Sequence, residues 1–175
     1  TPITAFLSVA SKAAALAAFI RVFFVGLESA QMVWGNAIAV LAALAMVVGN
    51  LTAIVQTNIK RMLAYSSVAQ IGYVMVGAVA LDAYGATSMA FYMTAYLFAN
   101  MGAFICVIAF SERTGSDEIM DYSGLARRSP MLAGFFTLFL ISLTGIPPTA
   151  GFLAKYYVFL AGINAGYMWL VIVGL

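Results

Sequence analysis

A broken apolar run, residues 131–162, constrains this chain more than any other feature of its sequence. As one helix the run would be about 48 Å long at 1.5 Å per residue, whereas the hydrocarbon core of a bilayer is about 30 Å thick. Pro147 and Pro148 interrupt it, between Gly145 and Gly151. Proline lacks an N–H donor and clashes with the preceding turn, and glycine permits unusual dihedral angles. The run is therefore predicted to form a helix that is discontinuous near residues 145–151.

Lys155 follows this break by a few residues. A broken helix with an ionisable side chain beside it is a sequence pattern that indicates an ion-transport site in a membrane protein. The break is therefore a candidate functional site as well as a geometric feature.

The composition predicts an all-α, polytopic transmembrane helix bundle. Hydrophobic residues make up 65% of the chain and charged residues 8%, against about 25% charged residues in soluble domains. The mean hydropathy is +1.05. Long apolar runs favour helices over a barrel, whose strands would alternate. We predict one transmembrane domain over residues 1–175, with helices at about 3–27, 33–55, 62–81, 87–110, 131–145 plus 152–162, and a truncated segment at 167–175.

Several functions are disfavoured by what the sequence contains. The net charge is +2 and basic residues do not cluster, so we expect no nucleic-acid partner. With no histidine and one cysteine, Cys106, we expect neither a disulfide framework nor a metal or cofactor site in this chain. The chain starts at Thr1 without an initiator methionine, and its last segment is too short to span a bilayer. We therefore expect an internal piece of a longer membrane protein.

Basic residues predict the orientation of the bundle. The loops after the second and fourth segments share one side of the membrane, while the opposite side has only Arg21, near a helix end. Lysine and arginine are enriched in cytoplasmic loops, so we expect the side with these two loops to face the cytoplasm. The loops carry Lys60, Arg61, Arg113, Arg127 and Arg128.

Lys12 and Lys155 are the strongest candidates for function. A lysine at mid-bilayer costs about 2.5–3.5 kcal/mol on insertion scales. Burial disfavours the charged form of a lysine and a nearby carboxylate favours it, so a lysine that alternates between such surroundings takes up and releases a proton. Snorkelling to the interface or a fixed ion pair is the alternative. The acidic residues fall at segment ends, so a carboxylate partner would lie outside this chain. Lys60 is either a topology determinant or the guard of a cytoplasmic inlet.

Two stripes of polar residues recur at helical spacing. Such stripes hold ordered waters that carry protons, or they form the hydrogen bonds between helices that bundles commonly use; the spacing alone favours neither. The first stripe comprises Ser66, Gln70 and Tyr73, the second comprises Tyr92, Tyr96 and Asn100, and Ser8 lies one turn before Lys12.

Five stretches, in this order, resemble the antiporter-like, proton-pumping membrane subunits of respiratory complex I, most closely the N subunit (subunit 2) family of NADH–quinone oxidoreductase. The resemblance covers nearly the whole chain. The stretches are AFLSVASKAA at 5–14, GNL at 49–51, QTNIKRMLAYSSVAQIGY at 56–73, YSGL at 122–125, and GIPP at 145–148 through Lys155.

The resemblance implies an antiporter-like fold of about fourteen transmembrane helices built from two inverted repeats. It places this chain from helix eight to the start of helix thirteen, with the break in helix twelve. It implies that Lys12 is the central proton-relay lysine, that Lys155 leads to the outer exit, and that Lys60 lies near the end of helix ten. The lack of histidine and the sequence around Lys155 favour subunit N over the related L and M subunits.

The implied function is proton translocation driven by quinone reduction elsewhere in the complex, which makes the chain part of an enzyme without a redox centre of its own. The whole complex would use NADH or ferredoxin, FMN, iron–sulfur clusters and quinone. Its partners would be other membrane-arm subunits and the lipid bilayer. We expect a bacterial inner membrane rather than a thylakoid or mitochondrial one. The alternatives are a subunit of a multi-subunit cation/proton antiporter and a structural spacer.

Overall fold

The computed structural model describes residues 2–26, 31–80 and 82–175, and what it describes is almost entirely helical. Helix α1 (Pro2–Ile20) continues directly into a π-helix, Arg21–Gly26. The remaining elements are α2 (Gln31–Ile54), α3 (Ile59–Ala78), α4 (Ala83–Thr114), a 3-10 turn (Ile119–Tyr122), α5 (Leu125–Arg128), α6 (Pro130–Thr144), α7 (Ala150–Asn164) and α8 (Met168–Gly174).

Side-chain caps set where two of the long helices begin. The Asn58 side-chain oxygen accepts hydrogen bonds from the backbone N–H groups of Lys60 at 3.0 Å and Arg61 at 3.2 Å. An N-cap of this kind satisfies donors that have no partner within the helix. Helix α3 therefore begins three residues before the predicted segment, and Lys60 and Arg61 lie in its first turn. Asp82 caps α4 in the same way, accepting from the N–H of Gly85 at 2.6 Å.

In the described part of the chain, two helices are long and apolar enough to cross a membrane, over Trp34–Ile54 and Ala83–Thr114, and Pro130–Thr144 is a shorter apolar helix. The 32 residues of α4 make a helix about 48 Å long. That length exceeds the roughly 30 Å of a hydrocarbon core. Helix α4 is therefore longer than a hydrocarbon core is thick, and its last turn carries the polar residues Ser111, Glu112, Arg113 and Thr114.

Helix α4 lies at the centre of the bundle. It packs against α1, α3, α6 and α7, while α2 packs along α3. The main core combines aliphatic side chains with aromatic ones such as Trp34, Tyr92 and Phe159; its fully buried members include Ala42, Met46, Ala69, Val76, Met89, Val158 and Leu170. The consequence for function is that α3 and α4, which carry the two polar stripes, both lie against the broken helix.

The two basic loops meet at one end of the bundle, which we call the basic end. The backbone N–H of Ile59 donates to the carbonyl of Asp117 at 2.9 Å, and that of Ile119 donates to the carbonyl of Thr57 at 2.8 Å. Asn58 and Glu118 pair as an isolated antiparallel bridge. The connection between α2 and α3 is thus fixed to the loop after α4, as the orientation argument requires.

The broken helix has a defined stop. Gly145 takes a left-handed conformation with φ +85°, which glycine adopts without steric cost. The N–H of Gly145 donates to Ser142 O at 3.1 Å, and that of Ile146 donates to Ile141 O at 3.2 Å. This pair of bonds is a Schellman cap. Pro147 and Pro148 follow, joined by a cis peptide bond, and α7 starts at Ala150.

The two halves of the broken helix touch through a glycine. A Cβ atom added at Gly151, in the first turn of α7, would lie 1.7 Å from the carbonyl oxygen of Ser142 in the last turn of α6. That oxygen belongs to the backbone, which cannot rotate away as a side chain would. Only glycine therefore fits at this contact.

We expect Gly151→Ala to destabilise the subunit, because forcing a methyl group into a packed contact costs about 1–3 kcal/mol. The measurement is the thermal transition of the detergent-solubilised parent complex. Gly134→Ala is the matched control, since it makes the same change in α6 where nothing lies within 4 Å of the added Cβ. Equal transition temperatures for the two variants would show that the Gly151 contact is not tight.

Candidate functional site

The site is organised around the open carboxyl end of α6. The last four carbonyl groups of a helix have no partner within that helix. The cap satisfies two of them, those of Ile141 and Ser142. The remaining two are met by side chains from other helices. Gln70 Nε2 of α3 donates to Leu143 O at 3.1 Å, and Lys155 Nζ of α7 donates to Thr144 O at 2.9 Å.

Lys155 is half-buried and its ammonium group is held without a carboxylate among the described residues. Besides Thr144 O, the Nζ atom lies 4.3 Å from the centroid of the Tyr73 ring. A cation is favoured over an aromatic face and near the negative end of a helix dipole. Asn50 Nδ2 of α2 donates to the Tyr73 hydroxyl at 3.1 Å, which holds the ring in place. The carbonyl end of α6 and the Tyr73 ring therefore stabilise the positive charge of Lys155.

Gln70 links three helices. Its amide group is buried, with the side chain 6% exposed. The Nε2 atom donates to Leu143 O of α6, while the Oε1 atom accepts a short hydrogen bond from the Tyr92 hydroxyl of α4. A buried amide whose donor and acceptor are both used is held in one orientation. Gln70 thus ties both polar stripes to the helix break.

Lys12 reaches the same region from α1. Its Nζ atom donates to the Ser67 hydroxyl of α3 in a short hydrogen bond, and lies 3.4 Å from the Ser67 carbonyl. The Tyr96 hydroxyl of α4 is buried beside the Ser67 side chain, and no hydrogen-bond partner of good geometry for it is found among the described residues. Ser67 and Gln70 are one turn apart on α3, so Lys12 lies one helical turn from the Gln70 junction.

A small space completes this connection. It has a volume of about 10 Å³ and is lined by Gln70, Tyr92, Tyr96, Ser142 and Gly151, among others. One water molecule needs about 10–15 Å³ and two to four polar partners. The space is therefore about the size of a single water, and three polar side chains from both stripes surround it.

A larger cavity of about 470 Å³ lies between α2, α3, α6 and Lys155 of α7; we call it the α3 cavity. The whole first stripe faces it, together with Asn50 and the broken helix. Its polar lining consists of Asn50, Ser66, Gln70, Tyr73, Thr144 and Lys155, and its apolar lining consists of Ala53, Ile54, Met62, Leu63, Leu140 and Leu143.

Most of the residues predicted for the site come together, and some do not. The fully buried Asn100 continues the second stripe on α4 beyond Tyr96. The side chain of Ser8 lies outside the described residues. Lys60 lies at the basic end, away from the other lysines.

Lys60 forms an ion pair with Asp117. Its Nζ atom lies 2.6 and 2.7 Å from the two carboxylate oxygens of Asp117 and donates to Ser111 Oγ at 3.3 Å. The hydrogen bond from Lys60 holds the pKa of Asp117 below its usual value. Close by, burial raises the pKa of the Tyr122 hydroxyl to about 12, with the Asp117 charge adding to the effect.

Ser67 and Asn50 are functional candidates that helical spacing does not predict. The first stripe follows Ser66 at helical intervals, and Ser67 lies 100° around the helix from Ser66. The one sequence signal for Ser67 is Gln70, which lies one turn further along the same helix. Asn50 lies on a different helix, α2, and meets Tyr73 only because α2 and α3 pack together. No spacing within one segment could reveal that contact.

Within the described part of the chain, no three side chains of His, Cys, Asp or Glu come together to hold a metal ion. The polar side chains that line the site belong to lysine, tyrosine, serine, asparagine and glutamine, which donate and accept hydrogen bonds.

An all-α bundle of apolar helices with one broken helix, and with lysines on either side of a polar axis, has the architecture of the antiporter-like class of membrane subunits. All 175 residues match the sequence family described as NADH:quinone oxidoreductase/Mrp antiporter, TM. The chain belongs to that family, as the resemblance predicted.

The family name covers two kinds of complex, and the chain is similar to members of both. The chain is 53% identical over its full length to NADH-quinone oxidoreductase subunit N of Moorella thermoacetica, and spans 37% of that relative's length. It superimposes with a TM-score of 0.66 and 36% identity on a chain of respiratory complex I from Thermus thermophilus, over 79% of this chain and 31% of that one. It matches a chain of the Mrp complex from Dietzia sp. with a TM-score of 0.86 and 29% identity, over 91% and 30%.

We expect Lys60→Met and Asp117→Asn to lower the thermal stability of the parent complex by similar small amounts at pH 7. The double variant should be little worse than either single one, with a coupling energy below about 1 kcal/mol because the pair is partly solvated. The pKa of Asp117 is lowered in the folded state, so its contribution is present above the ordinary aspartate pKa near 4 and is lost as pH falls through the lowered value.

A double-mutant cycle on the thermal transition, repeated at decreasing pH, measures this coupling. The same variants separate the two predicted roles of Lys60. A topology or structural role leaves protons pumped per electron equal in Lys60→Met and Asp117→Asn. Loss of pumping in Lys60→Met alone would instead indicate a proton inlet.

Proposed function

We propose that this chain is part of the N subunit of an NADH–quinone oxidoreductase and carries protons across an energy-transducing membrane. Lys12 and Lys155 are the groups that bind and release the proton. Ser67, Tyr96, Gln70 and Tyr92 connect them. Redox energy released in other subunits would change the surroundings of the lysines and so drive the transfer.

One observation carries this proposal: the polar contacts of Lys12 and Lys155 end close to Gln70 at the helix break. Lys12 bonds to Ser67, which lies one turn from Gln70 on α3, and Lys155 bonds to Thr144 O. Gln70 bonds to the carbonyl of Leu143, the residue before Thr144. A water in the adjoining 10 Å³ space would join the Tyr96 hydroxyl to Gln70.

The energetics of such a relay are within the reach of side-chain chemistry. Moving one proton against 100 mV costs about 2.3 kcal/mol. A change of one pKa unit is worth 1.36 kcal/mol, so a swing of a few units drives the step. Lys155 is held by dipoles that can move relative to it, and Lys12 by a rotatable hydroxyl. Both environments change without breaking a buried ion pair, which would cost about 3–5 kcal/mol.

The complex would supply what this chain lacks. Other subunits would hold the FMN, the iron–sulfur clusters and the NADH, ferredoxin or quinone sites, and this chain would have no redox centre of its own. Other membrane-arm subunits and lipid would surround the bundle. The location we propose is a bacterial inner membrane, and the relative with 53% identity is from Moorella thermoacetica.

A subunit of a multi-subunit cation/proton antiporter is the second candidate function. The close match of fold to the Mrp chain favours it, with a TM-score of 0.86. The identity of 29% to that chain against 53% to the subunit N relative argues for the oxidoreductase. Co-purification of the tagged subunit decides between them: quinone-reductase subunits support the first function, and their absence alongside Mrp-type subunits supports the second.

We expect Lys12→Ala, made in the complete complex, to lower the number of protons pumped per electron while the complex still assembles. The physical reason is that alanine removes the ammonium group that donates from α1 to the Ser67 hydroxyl. Proton uptake by proteoliposomes during quinone reduction measures the ratio. Thr94→Ala is the control, because Thr94 is exposed on α4 and its hydroxyl bonds only within its own helix. An unchanged ratio in Lys12→Ala would sink the relay and favour a structural spacer.

We expect Gln70→Leu to lower the number of protons pumped per electron as well. The cause would be loss of the bonds from Gln70 to Leu143 and Tyr92, since both lysines remain. The substitution leaves the Leu143 carbonyl and the Tyr92 hydroxyl without their partner, at a cost of about 1–3 kcal/mol for each buried group left unsatisfied. The comparison is with Gln70→Glu, which keeps an acceptor for Tyr92 and loses the donor to Leu143. Pumping equal to the wild type in both variants would place the proton path elsewhere.

A further inference from the structure

Exposed arginines from two helices meet where α6 begins. Arg127 and Arg128 form the last turn of α5, just before α6 starts at Pro130, and both are exposed. Arg113 is exposed in the last turn of α4, and its Nη1 atom lies 3.5 Å from Ser129 Oγ. Arginines that are separated in the sequence are thus brought together at the basic end.

The acidic side chains of this loop are concentrated in a separate segment, residues 117–121. Within that segment Asp117 pairs with Lys60. Glu112 is the acidic residue that adjoins the arginines in the sequence, next to Arg113. The junction of α5 and α6 therefore keeps an excess of exposed positive charge.

An apolar stripe runs along α6 from these arginines. Met131, Phe135 and Leu138 follow one another at i, i+4 and i+7, and each is more than half exposed. Gly134 lies on the same side, and nothing is found within 4 Å of a Cβ atom added there. The stripe thus has open space beside it.

The stripe ends in an apolar groove of about 570 Å³ between α4, α6 and the helix break; we call it the α4–α6 groove. Its lining includes Phe98, Leu138, Phe139 and Ile146. Leu138 comes ten residues after Arg128, or about 15 Å further along the helix axis. That distance is about half of a 30 Å hydrocarbon core. The groove therefore lies near the middle of the apolar layer.

The size of the groove favours a lipid chain over a protein helix. A helix with its side chains is about 10–12 Å across, so 570 Å³ would hold only about 6 Å of it, roughly one turn. A lipid chain is a single file of methylene groups, and it gains stability from each one that it buries.

The arginines match the other end of such a lipid. A guanidinium group binds a phosphate through two parallel N–H···O bonds. The cytoplasmic leaflet is rich in anionic lipids, which attract basic residues next to a transmembrane helix. The orientation predicted from the loop charges places the basic end at that leaflet.

We propose that Arg113, Arg127 and Arg128, together with the α4–α6 groove, form a binding site for one anionic phospholipid of the leaflet at the basic end. Its phosphate contacts the arginines, one acyl chain follows the apolar stripe, and the end of that chain lies in the groove beside the helix break. The proposal does not depend on the relay, since neither Lys12 nor Lys155 lines the groove.

Photoreactive lipids test the site in the complete parent complex, reconstituted into phosphatidylcholine vesicles. One probe is phosphatidylglycerol with a diazirine at the end of one acyl chain, and the reference probe is phosphatidylcholine with the same chain. Mass spectrometry of the subunit identifies the segments to which each probe becomes attached. We expect phosphatidylglycerol to attach to segments 95–99 and 138–150 at least about fivefold more than phosphatidylcholine, the effect typical of one basic residue near an anionic surface.

Two sets of variants separate the headgroup from the chain. Replacing both arginines, Arg127→Gln with Arg128→Gln, should lower the preference for phosphatidylglycerol by at least about fivefold, whereas Arg21→Gln, exposed on the π-helix, should not change it. Leu138→Trp fills the groove and should lower attachment of both probes to the two segments by about threefold or more. Leu44→Trp is its matched control on α2, since Leu44 is 55% exposed and Leu138 is 56% exposed.

Equal attachment of the two probes, or a preference that survives loss of both arginines, would overturn the proposed site. Attachment of neither probe to segments 95–99 and 138–150 would overturn it as well, and would indicate that protein fills the groove. These outcomes leave the relay untouched, because Lys12→Ala tests the relay independently.

Discussion

The last four carbonyl groups of α6 have no partner within that helix, and the rest of the site depends on how they are satisfied. In the apolar layer an unsatisfied backbone group costs several kcal/mol, so a helix that stops there needs partners from elsewhere. The Schellman cap at Gly145 provides two of them, and Gln70 and Lys155 provide the others. The break thereby fixes where α3 and α7 must lie, and it places a lysine at the negative end of a helix dipole.

This arrangement explains how a half-buried lysine is held without a carboxylate of its own among the described residues. Thr144 O and the face of Tyr73 attract the ammonium group but carry no full charge. Such a group loses less on deprotonation than it would opposite a carboxylate. The contrast is Lys60, which pairs directly with Asp117 at the basic end and has the geometry of a structural ion pair. The same residue type thus has two environments, and the proposed proton carrier is the lysine that has no carboxylate partner among the described residues.

Gln70 connects the two polar stripes to each other and to the helix break. Taken singly, each stripe is compatible with ordinary hydrogen bonding between helices. Bound to both Leu143 O and the Tyr92 hydroxyl, Gln70 joins α3 and α4 to the break. It also separates two spaces of different character. A space the size of one water lies toward Tyr96 and Lys12, and the much larger α3 cavity extends toward the basic end.

The sequence alone determined the class of the protein, the break and the lysines, because hydropathy, proline and buried charge act through local physics. A run of apolar residues too long for the bilayer must be interrupted, and Pro147 and Pro148 determine the position of the interruption because proline breaks a helix. Pairings between helices were decided only by the tertiary structure. Three contacts depend on which faces of separate helices meet. They are the bond from Lys12 to Ser67, the approach of the Lys155 ammonium to the Tyr73 ring, and the bond from Gln70 to the Leu143 carbonyl. Spacing within one helix restricts those faces to a stripe about a third of the circumference wide, and only packing selects the residue within it.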